Sequence, residues 1–202
     1  MKNFLKKYSY LMVKIFIAQC VIGLFGNVLA LAGVKSESNA LTIAISVFAI
    51  IFYLFLVYLF AWEAGNKDKA AIDGERLKYS PLTGLYIAIG ANVPNYLLTL
   101  IYAMLLPVAS KVEGTASAIC GISKIFLLFF NGMYTGIMSV ISFGGNAMHT
   151  FWLSYLIITV PALLITALAY IMGVKEIYLT KAMVPVNPEE LEIKRDKKNN
   201  LK

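Results

Sequence analysis

Apolar residues along this chain gather into five long blocks, and polar residues gather between and after them. The blocks run from Leu11 to Val34, Leu41 to Trp62, Thr83 to Pro107, Ile125 to Phe143 and Phe151 to Gly173. A helix rises 1.5 Å per residue, so about 20 apolar residues cross the ~30 Å hydrocarbon layer of a bilayer. The pattern predicts an all-α, polytopic helical membrane protein. Four of its five hydrophobic helices, 11–34, 41–62, 83–107 and 151–173, are long and apolar enough to span. The fourth block is ambiguous, because Asn131, Gly132, Thr135, Gly136, Ser139 and Ser142 interrupt it. Irregular backbone at membrane depth is tolerated only where it is buried in protein or lines water, so 125–143 is expected to be re-entrant or to lie along the outer interface. Residues 1–181 read as one transmembrane domain and 182–202 as a charged, mobile tail.

Composition agrees with this reading. The chain is 59% hydrophobic and only 14% charged, with a mean hydropathy of +0.74. A soluble fold of 202 residues could not enclose so much apolar surface. All 11 carboxylates fall outside the apolar blocks, as expected when an ionised side chain at mid-bilayer costs about 2.5–3.5 kcal/mol. The first block exceeds the ~7–15 residues of a secretory h-region, so it is expected to be an uncleaved anchor.

Charge also sets orientation, since Lys and Arg near span ends are retained in the cytoplasm. Lys2, Lys6, Lys7 and Lys14 place the amino terminus inside, and Lys67, Lys69, Arg76 and Lys78 place the second connection there too. Of the 18 basic residues, five crossings leave eight inside and ten outside, whereas four crossings leave fifteen inside and three outside. Both termini are therefore expected in the cytoplasm. The net charge of +7 follows from this partition, and no nucleic-acid partner is expected. The second connection, with Glu63, Asp68, Asp73 and Glu75 against its four cations, reads as a self-paired, solvated elbow.

Within the blocks, Gly23, Gly26, Asn27, Ala30 and Gly33 recur at helical spacing on the first helix, and Gly132 and Gly136 form a GxxxG in the fourth. Small side chains let helices approach closely in lipid, so these read as packing faces. The second block shows almost no polar face and is expected to see the most lipid, with Trp62 at headgroup level. Ser80-Pro81 reads as an N-cap followed by proline at the first helical position. The third helix carries Asn92, Pro94, Asn95 and Thr99, and the last carries Pro161 and Thr166, so each proline is followed five residues on by a threonine. Proline inside a helix removes a hydrogen bond and frees a carbonyl, here near Gly90. Proline-broken helices in two halves of a chain point to a transporter's midplane site, while neighbouring helices can equally satisfy such kinks. Asn92, Pro94, Asn95, Thr99, Pro161 and Thr166 are accordingly the candidate ligand-contacting or helix-packing residues.

Catalytic and metal chemistry are not legible. His149 is the single histidine, no Gly-x-Ser-x-Gly or His-Glu-x-x-His accompanies it, and no phosphate loop with lysine is present. Cys20 and Cys120 fall toward opposite faces and are not expected to pair. No cofactor or metal is expected, and no enzyme.

Ala61-Trp62-Glu63-Ala64-Gly65-Asn66-Lys67-Asp68, Asp73-Gly74-Glu75-Arg76, Pro81-Leu82-Thr83-Gly84, Val93-Pro94 and Ala169-Tyr170-Ile171-Met172-Gly173-Val174-Lys175 together resemble a family of small bacterial integral membrane proteins with no assigned function. The resemblance covers about half the chain. It implies a plasma-membrane location and supplies no mechanism. Two functions fit the sequence: a noncatalytic accessory or scaffold component binding other membrane proteins, cytoplasmic partners or a second copy, or a small transporter or permeation subunit with a polar site at the proline breaks.

Overall fold

Helices account for most of the structure, a computed structural model that describes residues 2–35, 38–109 and 114–178. Helix α1 runs Lys2–Lys35 and α2 runs Asn39–Asp73. The third block is two helices, α3 (Thr83–Ala91) and α4 (Val93–Ala109), bent by 54°. The fourth is α5 (Thr115–Phe130), a 3-10 turn (Gly132–Tyr134) and α6 (Thr135–Val140), bent by 80°. A two-residue-per-strand hairpin follows, β1 (Ser142–Phe143) and β2 (Asn146–Ala147), paired Ser142 to Ala147 and Phe143 to Asn146. Its loop residues Gly144 and Gly145 have φ of +59° and +82°, the backbone that two-residue hairpins demand and glycine adopts without strain. A 3-10 turn (Met148–Thr150) then leads into α7 (Trp152–Ile157) and α8 (Val160–Val174).

Three helical stretches, Phe4–Gly33, Asn39–Asp73 and Trp152–Val174, are each long and apolar enough to cross a membrane, and the two bent pairs raise the number to five if each counts as one span. Several boundaries differ from the sequence reading. Helix α5 begins ten residues before Ile125, because Thr115 to Lys124 already carries one small, apolar face. The fourth block breaks at Asn131, and its last two residues, Ser142 and Phe143, belong to the hairpin. Ser80-Pro81 is not the cap of α3: the Thr83 amide closes a turn on the Ser80 carbonyl at 3.2 Å, and the helix starts two residues after Pro81, behind Leu82. Helix α2 continues eleven residues past Trp62, so its ~52 Å length is greater than the ~30 Å thickness of a hydrocarbon layer.

This helical extension overturns the solvated elbow. Glu63 and Lys67 do pair within α2 at 2.6 Å, but Asp68 is buried at 6% exposure. Nor does α2 lack a polar face. Thr42, Ser46, Ala49, Tyr53, Val57, Ala61, Gly65 and Asp68 recur at steps of three and four and are all buried, against α8 and α1. Phe48, Ile51, Phe52 and Phe55 point outward, as the sequence suggested.

The helices have two ends. At one, α1 begins, α2 ends, α3 begins and α8 ends: Lys7 pairs with Asp68, Lys69 with Glu176 at 2.6 Å, and the Trp62 indole donates to the Ile177 carbonyl at 2.8 Å. At the other, Gly33 lies against Thr42, and Gly136 lies against Thr42 and Ser46. Helix α5 runs antiparallel to α4, joined by Asn95 and Asn131 at its far tip, and α6 returns to the start of α2. Both ends of the fourth block thus point to the second end of the bundle. Lys111 and the 182–202 tail lie outside the described residues.

Candidate functional site

Pro94 cannot donate to the Gly90 carbonyl, and the chain bends at Asn92, between the proline and that freed group. The Asn92 amide closes the end of α3 by donating to the Ala88 carbonyl at 3.0 Å. Asn95, fully buried, turns instead toward the centre of the bundle. There it meets Asn131, which sits at the 80° bend of the fourth block. Asn131 Nδ2 donates to Asn95 Oδ1 at 2.9 Å, and Asn95 Nδ2 donates back at 3.3 Å. Gln19 of α1 donates to the same Asn131 oxygen at 3.3 Å, and Asn131 also reaches the Leu127 carbonyl at 2.9 Å. Three amides from α1, α4 and the α5–α6 bend therefore share one buried centre.

The centre is not fully satisfied. Among the described residues, Gln19 Oε1, Tyr53 Oη and Tyr134 Oη are buried with no hydrogen-bond partner. Tyr53, on α2, shares its neighbourhood with Tyr134, Cys20 and Tyr96. Leaving a buried polar atom unpaired costs about 1–3 kcal/mol. Buried polar atoms of this kind are ordinarily met by ordered water or by a bound polar molecule.

The second proline break lies against the first. Tyr96, two residues past Pro94, meets Thr159, two before Pro161, hydroxyl to hydroxyl at 3.4 Å. The threonines that echo each other are spent on their own helices: Thr99 donates to the Asn95 carbonyl at 2.8 Å and Thr166 to the Ala162 carbonyl at 2.6 Å. Both threonines are buried, with their hydroxyls engaged on their own helices.

The small residues hold this arrangement together. A Cβ on Gly23 would strike the Phe129 and Phe130 carbonyls, and one on Gly26 would strike Met133. Gly132 abuts the Gly23 carbonyl and Asn27, while Gly136 abuts α2. Asn27 donates to the Leu128 carbonyl at 3.1 Å and accepts from Thr135 at 2.9 Å, one turn before the buried Ala30. The first helix thereby carries the bend of the fourth block on its small face.

A second polar centre lies at the charged end. Asp68 accepts from Tyr8 at 2.5 Å and Tyr170 at 2.8 Å, and pairs with Lys7 at 2.6 Å. Thr83 stands beside the Tyr170 hydroxyl. One carboxylate ties α1, α2 and α8 together, and Tyr170 extends the cluster to Thr83 of α3. Close backbone contact supports it: a Cβ on Gly65 would strike the Tyr170 carbonyl, and one on Gly173 the Trp62 carbonyl.

Of the sequence candidates, Asn95 belongs to the central cluster, Asn92 and Pro94 form its break, Pro161 stands beside it through Thr159, and Thr99 and Thr166 are local braces. Sequence reasoning left Asn131 outside the candidate set and passed over Gln19, Tyr53 and Asp68. The available signal was position: Gln19 is a polar residue set within an apolar block, and Asp68 continues the three-and-four spacing of α2. Among the described residues no group of His, Cys, Asp or Glu could hold a metal ion, and Cys20 and Cys120 are both free thiols. Comparison with protein-family models, curated proteins and solved structures gives no match.

Proposed function

We propose that this chain is a noncatalytic integral membrane protein of the bacterial plasma membrane that binds or passes a small, uncharged polar solute at the centre of its helices. Four crossings and a re-entrant fourth block, with both termini cytoplasmic, form the frame. The observation that carries the reading is the set of unpartnered atoms, Gln19 Oε1, Tyr53 Oη and Tyr134 Oη, beside the Asn95–Asn131 pair. Amides and hydroxyls place donors and acceptors side by side, the pairing that a neutral polar solute such as water or a polyol needs. Bent helices at membrane depth supply the polar backbone such a site uses. The accessory or scaffold reading draws on small-residue faces and on the basic cytoplasmic parts, and of these the faces at Gly23, Gly26, Gly132 and Gly136 are packed within the chain.

Proteoliposome swelling with water, urea and small polyols tests the proposal. At least one solute should enter faster than into empty vesicles, and Asn131→Leu should abolish the excess. Tyr53→Phe removes an unpartnered hydroxyl without breaking any intramolecular bond. It should lower the flux while leaving the melting temperature unchanged or higher. Unaltered flux in Tyr53→Phe, or swelling no faster than in empty vesicles, would remove the reading.

A further inference from the structure

A cavity of about 410 Å³ opens between α1 and α2 at the charged end, away from the central amides. Lys7, Leu11 and Lys14 line it from one face of α1, and Phe60, Glu63 and Lys67 from one face of α2. Lys7 is held by Asp68 at 2.6 Å and Lys67 by Glu63 at 2.6 Å. Lys14 is different: its ammonium lies over the Phe60 ring, 4.0 Å from the centroid, and only 3.8 Å from the Glu63 carboxylate already engaged by Lys67. Three ammonium groups face two carboxylates, so the cavity carries one excess positive charge, and that charge is centred on the least committed lysine.

We propose that this cavity binds a singly charged phosphate group, such as the phosphodiester of a lipid headgroup, with Lys14 as its direct contact and Lys7 and Lys67 flanking. A dianion would meet Glu63 and Asp68 with only one uncompensated cation. The volume suits a headgroup and is too small for acyl chains, which would instead lie along the apolar outer faces that continue toward the bundle middle, Ile17 and Val21 on α1 and Phe52 and Phe55 on α2. On the orientation proposed above, the cavity opens at the cytoplasmic headgroup level, where anionic lipid attracts lysines. The same chemistry could be met by free phosphate.

The test uses the purified full chain in a neutral detergent at mildly acid pH, where inorganic phosphate is mostly the monoanion, with thermal stability read against concentration of three probes: dihexanoyl phosphatidylglycerol, inorganic phosphate, and dihexanoylglycerol as the uncharged control. Phosphatidylglycerol should raise the melting temperature saturably and dihexanoylglycerol should not. Lys14→Gln should weaken binding about tenfold, while Lys35→Gln, at the opposite end, should leave it unchanged. Stabilisation by the lipid alone assigns the cavity to a headgroup, and equal stabilisation by inorganic phosphate assigns it to a free anion; both uphold the phosphate site. If Lys14→Gln fails to fold, Lys14→Arg should retain binding, and about 0.5 M salt should weaken it in the parent. Absence of saturable stabilisation by either phosphate-bearing probe, equal binding by Lys14→Gln, or salt-insensitive binding would overturn the proposal.

Discussion

Replacing Asp68 should unfasten the charged end of the bundle. In Asp68→Ala the hydroxyls of Tyr8 and Tyr170, whose side chains are 5% and 1% exposed, lose their common acceptor. Each bond to an ionised acceptor contributes about 1.5–3 kcal/mol. Lys7 adds less, because its side chain is 37% exposed and water replaces its partner. Two buried donors thus set the loss at about 3–5 kcal/mol, the range found when one partner of a buried charged cluster is removed. For a chain of this length that lowers the melting temperature by on the order of 10 °C. Thermal unfolding of the detergent-solubilised protein measures the shift, and a double-mutant cycle of Asp68→Asn with Tyr170→Phe separates the bond from nonspecific damage. Coupling of at least about 1 kcal/mol is expected. Additivity within about 0.5 kcal/mol, or a melting temperature for Asp68→Ala within 2–3 °C of the parent, would refute the idea that this carboxylate joins the helices.

Other outcomes follow from the same geometry. Gly65→Ala should cost about 1–3 kcal/mol by driving α2 off the Tyr170 carbonyl, whereas Gly121→Ala, with nothing within 4 Å, should be neutral or stabilise by up to about 1 kcal/mol; paired melts decide. In a background with Cys20 and Cys120 replaced by Ser, Thr115→Cys and Asn146→Cys should both react with an impermeant thiol reagent added outside intact cells, and Lys78→Cys should not, since the fourth block is proposed to enter and leave on one side; labelling of only one of the first pair would establish a crossing. Asn95→Leu should destabilise by about 1–3 kcal/mol because Asn131 keeps its amide but loses its reciprocal partner, and a melt within 0.5 kcal/mol of the parent would show that the pair contributes nothing.

Hydropathy alone determined that the chain is helical, where its apolar blocks lie and that Pro94 breaks the third, because each depends on properties a residue carries into any context: transfer free energy, helix rise and a missing amide hydrogen. The outward faces of α2, Phe48 and its neighbours, were legible for the same reason. Only the tertiary structure decided that α2 also has a buried stripe from Thr42 to Asp68, since small and hydroxylated residues barely alter a hydropathy average and matter only when another backbone comes within reach. It alone brought Asn131 to Gln19 and Asn95, residues separated by 112 and 36 positions, and turned Asp68 from an apparently solvated charge into a shared acceptor. Amides and carboxylates are ambiguous in a sequence because their free energy depends on which partner replaces water, and that partner is chosen by packing.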